Sequence, residues 1–478
     1  MTLSSSPRAF DHAVVRDVEA EATTNARIGP YLRRNDRAVR ETPQAQLRLL
    51  RRWERDRDRL RSRVRADPEQ LADWRLERLR ALVDSAYATV PFYRDLYRAA
   101  GFEPGAVVTM ADFEQLPTVS KKTLVDAGVG DRLRAEHEGI RTLHTARTSG
   151  SSGLNMTVYQ DNASVDFRVM VNLRHCELLL GSEMRPEDWR YSIYFAAERF
   201  SSLAGSYPFL TISQDTPTDL VLRHLSEVRP RVVLSFPSYL QRLAAEGVAL
   251  DRFGVELIST NSERSTVQER RHYSEVFGVP VLDEYSSEEM TLIAYECPQR
   301  RYHLVEDNSY VEVARPDDQG FGPLVSTSLG NFLMPFIRYD QGDVVRLDTT
   351  GARCGCGSTF RMIDAFRGRE DEALLDGPNR TVPSDAVLGL CDSTLVVVDS
   401  NVQQYQIVQT APDLVTVLVR LIDPARGSDN PRVREFTDGM PKLFRHQRMR
   451  VEVVEVDEFP TFVSGKRRLV NVEPGARA

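Results

Sequence analysis

The chain has 478 residues, of which 41% are hydrophobic and 27% charged, and a net charge of −7. These are the proportions of an ordinary globular protein with room for two or three domains. The acidic balance excludes a general nucleic-acid binder, and the absence of any run of eighteen apolar residues predicts that nothing spans a membrane. Residues 1–40 lack sustained periodicity and break at Gly29-Pro30, so a loosely ordered start is expected. Residues 42–65 carry Leu47, Leu50, Trp53 and Leu60 on one rough stripe among many arginines, which predicts an exposed helix. Interleaved Asp and Glu make that arginine run a solvated face rather than an RNA-binding one. A second helix is predicted over Leu71–Ala88.

From about residue 140 to 350, β-type runs alternate with helical patterns. Strands are expected at Val232–Phe236, Val279–Tyr285, Tyr310–Val313, Leu324–Ser326 and Val344–Leu347, and helices at Ala163–Leu180, Tyr239–Glu246 and Val267–Phe277. Alternation of this kind predicts an α/β core with substantial parallel sheet. After Arg369 the pattern changes to short strands (Gln404–Gln409, Leu414–Val419, Val451–Val456) around a helix near Arg432–Phe444. The expected organisation is an N-terminal extension over 1–70, a core domain over 71–370 with mixed sheets and helices, and a small mobile α+β domain over 371–478. Met1–Thr24 lacks a basic start followed by an apolar run, so no signal peptide is expected. Five cysteines in a chain this long form no disulfide framework and point to a reducing, cytoplasmic compartment.

Several short motifs carry chemistry. In Thr148-Ser149-Gly150-Ser151-Ser152-Gly153 the glycines permit a tight turn, and hydroxyls with backbone N–H groups can surround phosphate oxygens. The same hexamer also suits a plain flexible loop, and it is not a Walker A loop. Tyr285-Ser286-Ser287-Glu288-Glu289 ends an apolar run with carboxylates. Asp343 follows Gly342 in Arg338-Tyr339-Asp340-Gln341-Gly342-Asp343, and Gly368-Arg369-Glu370-Asp371 marks the change of pattern. Only four lysines occur, Lys121, Lys122, Lys442 and Lys466, so Lys466 in Ser464-Gly465-Lys466-Arg467-Arg468 is a scarce event. Cys297, His303, Cys354 and Cys356 form Cys-x5-His and Cys-x-Cys pairs, a ligand set that suits tetrahedral zinc. Cys176 and Cys391 fall on helical patterns and read as structural.

The order of these motifs resembles the adenylate-forming superfamily of acyl-CoA ligases, peptide-synthetase adenylation domains and luciferases. It is similar above all to the phenylacetate–CoA ligase branch, through Val90-Pro91-Phe92-Tyr93-Arg94, Leu116-Pro117, Ser235-Phe236-Pro237-Ser238-Tyr239, Phe277-Gly278-Val279-Pro280-Val281, Glu296-Cys297-Pro298 and Met334-Pro335-Phe336-Ile337-Arg338-Tyr339. The resemblance runs from about residue 70 to the end. It implies ATP and Mg²⁺ as cofactors, with residues 148–153 on the phosphates. It places Tyr285 against adenine, Glu289 on Mg²⁺, Asp343 on the ribose hydroxyls and Arg369 on the nucleotide. Asp371 becomes a hinge, and Lys466 stabilises charge on the phosphates and carboxylate during adenylation. Zinc at the Cys₃His set would be structural.

The acid is expected among Tyr194, Phe195, Phe236, Pro237, Asn261, Ser262 and Glu263, a lining that suits an aromatic acid. Coenzyme A is the default acceptor, with a carrier-protein thiol, an amine or nitrite as alternatives, and a homodimer is compatible with the reading. Leu154 and Asn155 stand where the family has Lys and Pro, and Ser286 and Glu288 where it favours Gly and Thr. A silent scaffold and a zinc-dependent interaction module are the readings from other classes. Retention of Glu289, Asp343, Arg369 and Lys466 speaks against the first.

Overall fold

The computed structural model describes residues 43–135, 144–148, 156–194, 199–369, 372–378, 380–459 and 468–476. The loose start expected over 1–40 therefore lies outside the described residues. The chain divides into two compact units, one of 1–62, 170–261 and 271–282, the other of 63–169, 262–270 and 283–478. Among the described residues no helix is long and apolar enough to cross a membrane.

The first unit holds the parallel sheet that the alternating pattern predicts. Leu257–Thr260, Val232–Ser235, Arg190–Tyr194 and Ser206–Ser213 lie parallel in that order, and Arg199–Leu203 closes the edge antiparallel. Tyr191, Ile193, Leu210, Val233 and Ile258 of these strands pack with Val221 and Leu225 of helix Thr218–Val228 and with Leu240 and Leu243 of helix Pro237–Ala244. Burial on both faces explains why these strands read as near-continuous apolar runs. The arginine-rich helix Pro43–Arg63 turns Leu50, Trp53 and Leu60 inward, as its stripe predicts, but with Leu49 rather than Leu47 buried beside them.

The second unit differs. Its large sheet runs Ser309–Val313, Gly322–Ser328, Tyr339–Leu347, Met362–Arg369, Tyr302–Leu304, Thr291–Glu296 and Val281–Ser287, every neighbour antiparallel. With the parallel strands of the first unit this makes the mixed sheets that the sequence predicts, and here no helix crosses between the strands, so they pair antiparallel. The strand expected at Val344–Leu347 begins five residues earlier, at Tyr339. Its polar first half, with Gly342 at φ +76, hides the alternation. Helix Pro68–Thr89 packs Leu79, Leu82, Val83 and Ala86 into the same core. Asp67 caps it by accepting from the N–H groups of Glu69 and Gln70 at 2.9 and 3.3 Å. It stops at Val90 because the residue before Pro91 is driven to extended backbone, φ −112.

Residues 374–476 close a smaller core. Its sheet runs Arg450–Glu455, Leu414–Leu421, Val402–Ala411 and Val470–Val472, with an antiparallel central pair and parallel outer ones. Val415, Val417, Val419 and Leu421 alternate inward, against Val387, Leu388 and Cys391 of helix Ser384–Thr394 and Phe436 of helix Pro431–Gly439. This is the α+β arrangement that the sequence predicts.

Candidate active site and metal centre

The loop of the Ser/Gly hexamer spans a hairpin. Strands His144–Arg147 and Thr157–Gln160 pair antiparallel. Thr148 closes the end, donating its N–H to the Met156 carbonyl at 2.9 Å while its hydroxyl accepts from the Met156 N–H at 2.9 Å. Ser149, Gly150, Ser151, Ser152, Gly153, Leu154 and Asn155 lie outside the described residues.

The antiparallel sheet and its turns carry most of the polar residues. Glu289 sits in the tight turn between strands Val281–Ser287 and Thr291–Glu296. Ser287 Oγ accepts from the Met290 N–H at 3.1 Å, and Asn308 Nδ2 donates to the carbonyls of Met290 and Leu292 at 2.9 and 2.6 Å. The turn is thus fixed on both sides. Tyr339 donates its hydroxyl to Glu289 Oε1 at 2.9 Å, and the Lys121 ammonium stands 3.8 Å from the same oxygen. Both contacts use Oε1, so Oε2 remains for a further ligand.

Asp343 and Arg369 face each other across strands Tyr339–Leu347 and Met362–Arg369. Their charged atoms approach to 3.7 Å, and Tyr285 donates its hydroxyl to Asp343 Oδ2 at 2.5 Å. Gly342 is required beside them, because a Cβ there would lie 3.0 Å from Arg369 Nη2 on a backbone already at φ +76. The Tyr285 ring packs edge-on against Phe366, centroids 5.3 Å apart, and Phe366 packs likewise on Tyr302 at 5.0 Å.

Burial, then the adjoining carboxylate charge, pushes the Tyr285 and Tyr339 phenols up, so both stay protonated donors. Burial also lowers the Lys121 ammonium; Glu289 opposes this and Arg369 adds to it. Sequence reasoning did not assign Lys121 to the site. Its scarcity was the available signal. What places it is the pairing of Val119 with Tyr339, fixed by Val119 N–H to Arg338 O and Asp340 N–H to Val119 O, both 2.9 Å. Two residues on, helix Lys121–Asp126 starts, capped by Ser120.

The second unit thus brings Tyr285, Glu289, Asp343 and Arg369 together. Ser262, at φ +66, and Glu263 belong to the same unit. Tyr194, Phe236 and Pro237 belong to the first, where the Tyr194 and Phe236 rings stack at 5.3 Å and 27°. Phe195, Asp371 and Lys466 fall outside the described residues. Arg468, near Lys466 in sequence, is tied by its carbonyl to Gln406 Nε2 at 2.9 Å.

Cys297, His303, Cys354 and Cys356 converge, their ligand atoms all within 4.8 Å of one another. Cys297 Sγ and Cys354 Sγ are 3.7 Å apart, and Cys356 Sγ lies 3.3 Å from His303 Nε2. A tetrahedron with Zn–S bonds of about 2.3 Å has S···S edges of about 3.8 Å, so the set fits that ion. His303 Nδ1 lies 3.0 Å from the Phe360 carbonyl, which turns Nε2 toward the thiols. Burial pushes the Cys297 thiol up to about 12 and lowers His303, so a thiolate here needs a cation beside it while the imidazole is already neutral.

No protein-family model matches the chain. It is 27% identical over 361 residues to a phenylacetate–coenzyme A ligase of Thermus thermophilus, spanning 71% of this chain and 78% of that protein. The phenylacetate–coenzyme A ligase of Escherichia coli is 25% identical over 336 residues, 65% of this chain and 74% of the relative. Among solved structures, 2-hydroxyisobutyryl-CoA ligase in the postadenylation state superposes with a TM-score of 0.69 at 20% identity, over 86% of this chain and 92% of that one. The same ligase in the thioesterification state gives 0.55, over 86% and 91%. The fold is shared, and the sequence kinship covers some two-thirds of the chain. The chain is thus similar in sequence to phenylacetate–coenzyme A ligases and shares the fold of 2-hydroxyisobutyryl-CoA ligase.

Proposed function

We propose that the protein is an acid–coenzyme A ligase that joins ATP to a carboxylic acid and then passes the acyl group to the thiol. In the first step a carboxylate oxygen attacks the α-phosphorus, the bond to the β-phosphate oxygen breaks, and pyrophosphate leaves with its electron pair. In the second, the thiol sulfur attacks the acyl carbon, AMP leaves, and the thiol proton passes to solvent. The observation that carries this reading is the pairing of two carboxylates with two cations: Glu289, in a hairpin turn, with Lys121 at a helix start, and Asp343, within one strand, with Arg369 at the end of the next. It is a site built for a polyanion carrying a sugar and a metal.

Each group has work that its chemistry suits. Asp343 accepts from the ribose hydroxyls, and Arg369 and Lys121 face phosphate charge. Lys121 supplies a cation in a chain whose phosphate loop carries Leu154 where the family has lysine. Magnesium, when bound, neutralises phosphate charge, and Glu289 is the carboxylate placed to hold it. Tyr285 with Phe366 offers an aromatic edge for adenine. Thr148 closes a loop whose N–H groups and hydroxyls take the phosphates. Lys466 stabilises the charge that builds during adenylation, and its value is high because water is excluded. The stacked Tyr194 and Phe236 rings, with Pro237 beside them in sequence, support an aromatic acid. Zinc at Cys297, His303, Cys354 and Cys356 braces the loops that flank the sheet. The self-contained core of residues 374–476 supports a small domain over 371–478 with its hinge at Asp371, after a core domain over 71–370 and an extension over 1–70. The free cysteines suit a reducing, cytoplasmic compartment.

The test is acid-dependent pyrophosphate release across a panel of aryl and alkyl acids. Mass spectrometry of products, with coenzyme A, an amine, nitrite and a carrier protein offered together, then reports the acceptor. A CoA thioester with stoichiometric AMP is expected. ATP binding without pyrophosphate release for any acid would overturn the reading.

A further inference from the structure

Each carboxylate of the site is built the same way. Asp343 has a tyrosine hydroxyl on Oδ2 at 2.5 Å and a guanidinium 3.7 Å from Oδ1. Glu289 has a tyrosine hydroxyl on Oε1 at 2.9 Å and an ammonium at 3.8 Å. A closed charge-assisted pair sits near 2.7–2.9 Å, so both cations stand about an ångström off their partners. Nothing in hydrophobic packing demands an oxygen on either ring. Tyr339 is 3% exposed and packs against Phe336, where phenylalanine would fill the same space.

We propose that the hydroxyls of Tyr285 and Tyr339 are the positioning groups of this site, each pinning one carboxylate and keeping it apart from the neighbouring cation, so that Asp343 meets the sugar and Glu289 meets the metal. The inference rests on the nucleotide reading above and assigns the tyrosines separate duties within it. A carboxylate that loses its hydroxyl partner turns to the nearest cation, and the closed ion pair then competes with the ligand for both charges. Neither tyrosine needs to touch a reacting atom.

The two duties separate experimentally, because AMP binds through its sugar and base without a metal, whereas ATP needs one. Calorimetry on the full chain would measure AMP in metal-free buffer and ATP across a Mg²⁺ series. Tyr285→Phe should weaken AMP about tenfold and leave the Mg²⁺ midpoint for ATP unchanged. Tyr339→Phe should leave AMP within about twofold and raise the Mg²⁺ midpoint about tenfold. Asp343→Asn and Glu289→Gln serve as second variants. Each should be non-additive with its own tyrosine and additive with the other. Equal loss of AMP binding in both tyrosine variants, or no loss in either, would overturn the proposal while leaving the nucleotide reading intact. A wild-type chain that binds neither AMP nor ATP would overturn both.

Discussion

The Cys₃His cluster and the cluster of Glu289, Asp343, Lys121 and Arg369 lie in the same unit, both built on its antiparallel sheet. They differ in closure. In the first, four ligand atoms converge on one point within 4.8 Å, three of the four residues buried. In the second, two carboxylates and two cations are held apart at 3.7 and 3.8 Å by tyrosine hydroxyls and turns. A closed set satisfies itself with one ion and contributes folding energy. A set of loosely spaced opposite charges is one that a charged ligand can enter, which suits binding rather than folding. Substitutions in the two places should therefore fail in opposite ways.

The largest effect falls on the open side. Lys466→Ala should lower adenylation about 10²–10³-fold, read as acid-dependent pyrophosphate release, with thermal stability unchanged. A rate near wild type would remove Lys466 from the site. The closed side should show the reverse. Cys354→Ser, or stripping with a chelator, should lower the melting temperature by on the order of 5–10 °C and release one zinc per chain, measured by calorimetry and metal analysis. Loss of pyrophosphate release without any change in melting would blur the contrast.

Smaller effects sharpen it. Lys121→Met should cost about tenfold in kcat/KM for ATP and little stability. Because burial lowers the Lys121 ammonium, the wild-type rate should fall on the alkaline side earlier than an ordinary lysine would give, and that limb should vanish in the variant.

The smallest prediction is a control outside both clusters. Burial first, and then the Glu269 charge, raises the Asp392 carboxyl to about 6, and its Oδ1 is buried with no partner among the described residues. The folded state keeps this proton where the unfolded chain has lost it, so stability falls as pH rises from about 4 through 6. Asp392→Asn should therefore raise the melting temperature by about 2–4 °C at pH 7, and the gain should shrink away below about pH 4. A gain that persisted at low pH would mean the effect is not titration.

Periodicity exposed the helices Pro43–Arg63 and Pro68–Thr89, and the strand Leu414–Leu421, because each has one face against a core. It did not expose the strand Met362–Arg369. Charged and glycine residues at its far end break the alternation, and cross-strand pairing carries the segment instead. Asp343 and Arg369 were legible through their glycine neighbours and the family motif. Lys121 was not, because its place depends on Val119 pairing with Tyr339, more than two hundred residues away.

Sequence alone determined the chemical inventory: the fold class, the order of the motifs and the residue types able to hold a nucleotide and a metal. Those follow from composition, spacing and local backbone preference. Tertiary structure decided which of them meet. The register of antiparallel strands put Asp343 opposite Arg369, and a hairpin turn aimed Glu289 at Tyr339 and Lys121. Such meetings depend on pairings between segments far apart in the chain, and these are set by packing of the whole sheet rather than by any local run of residues.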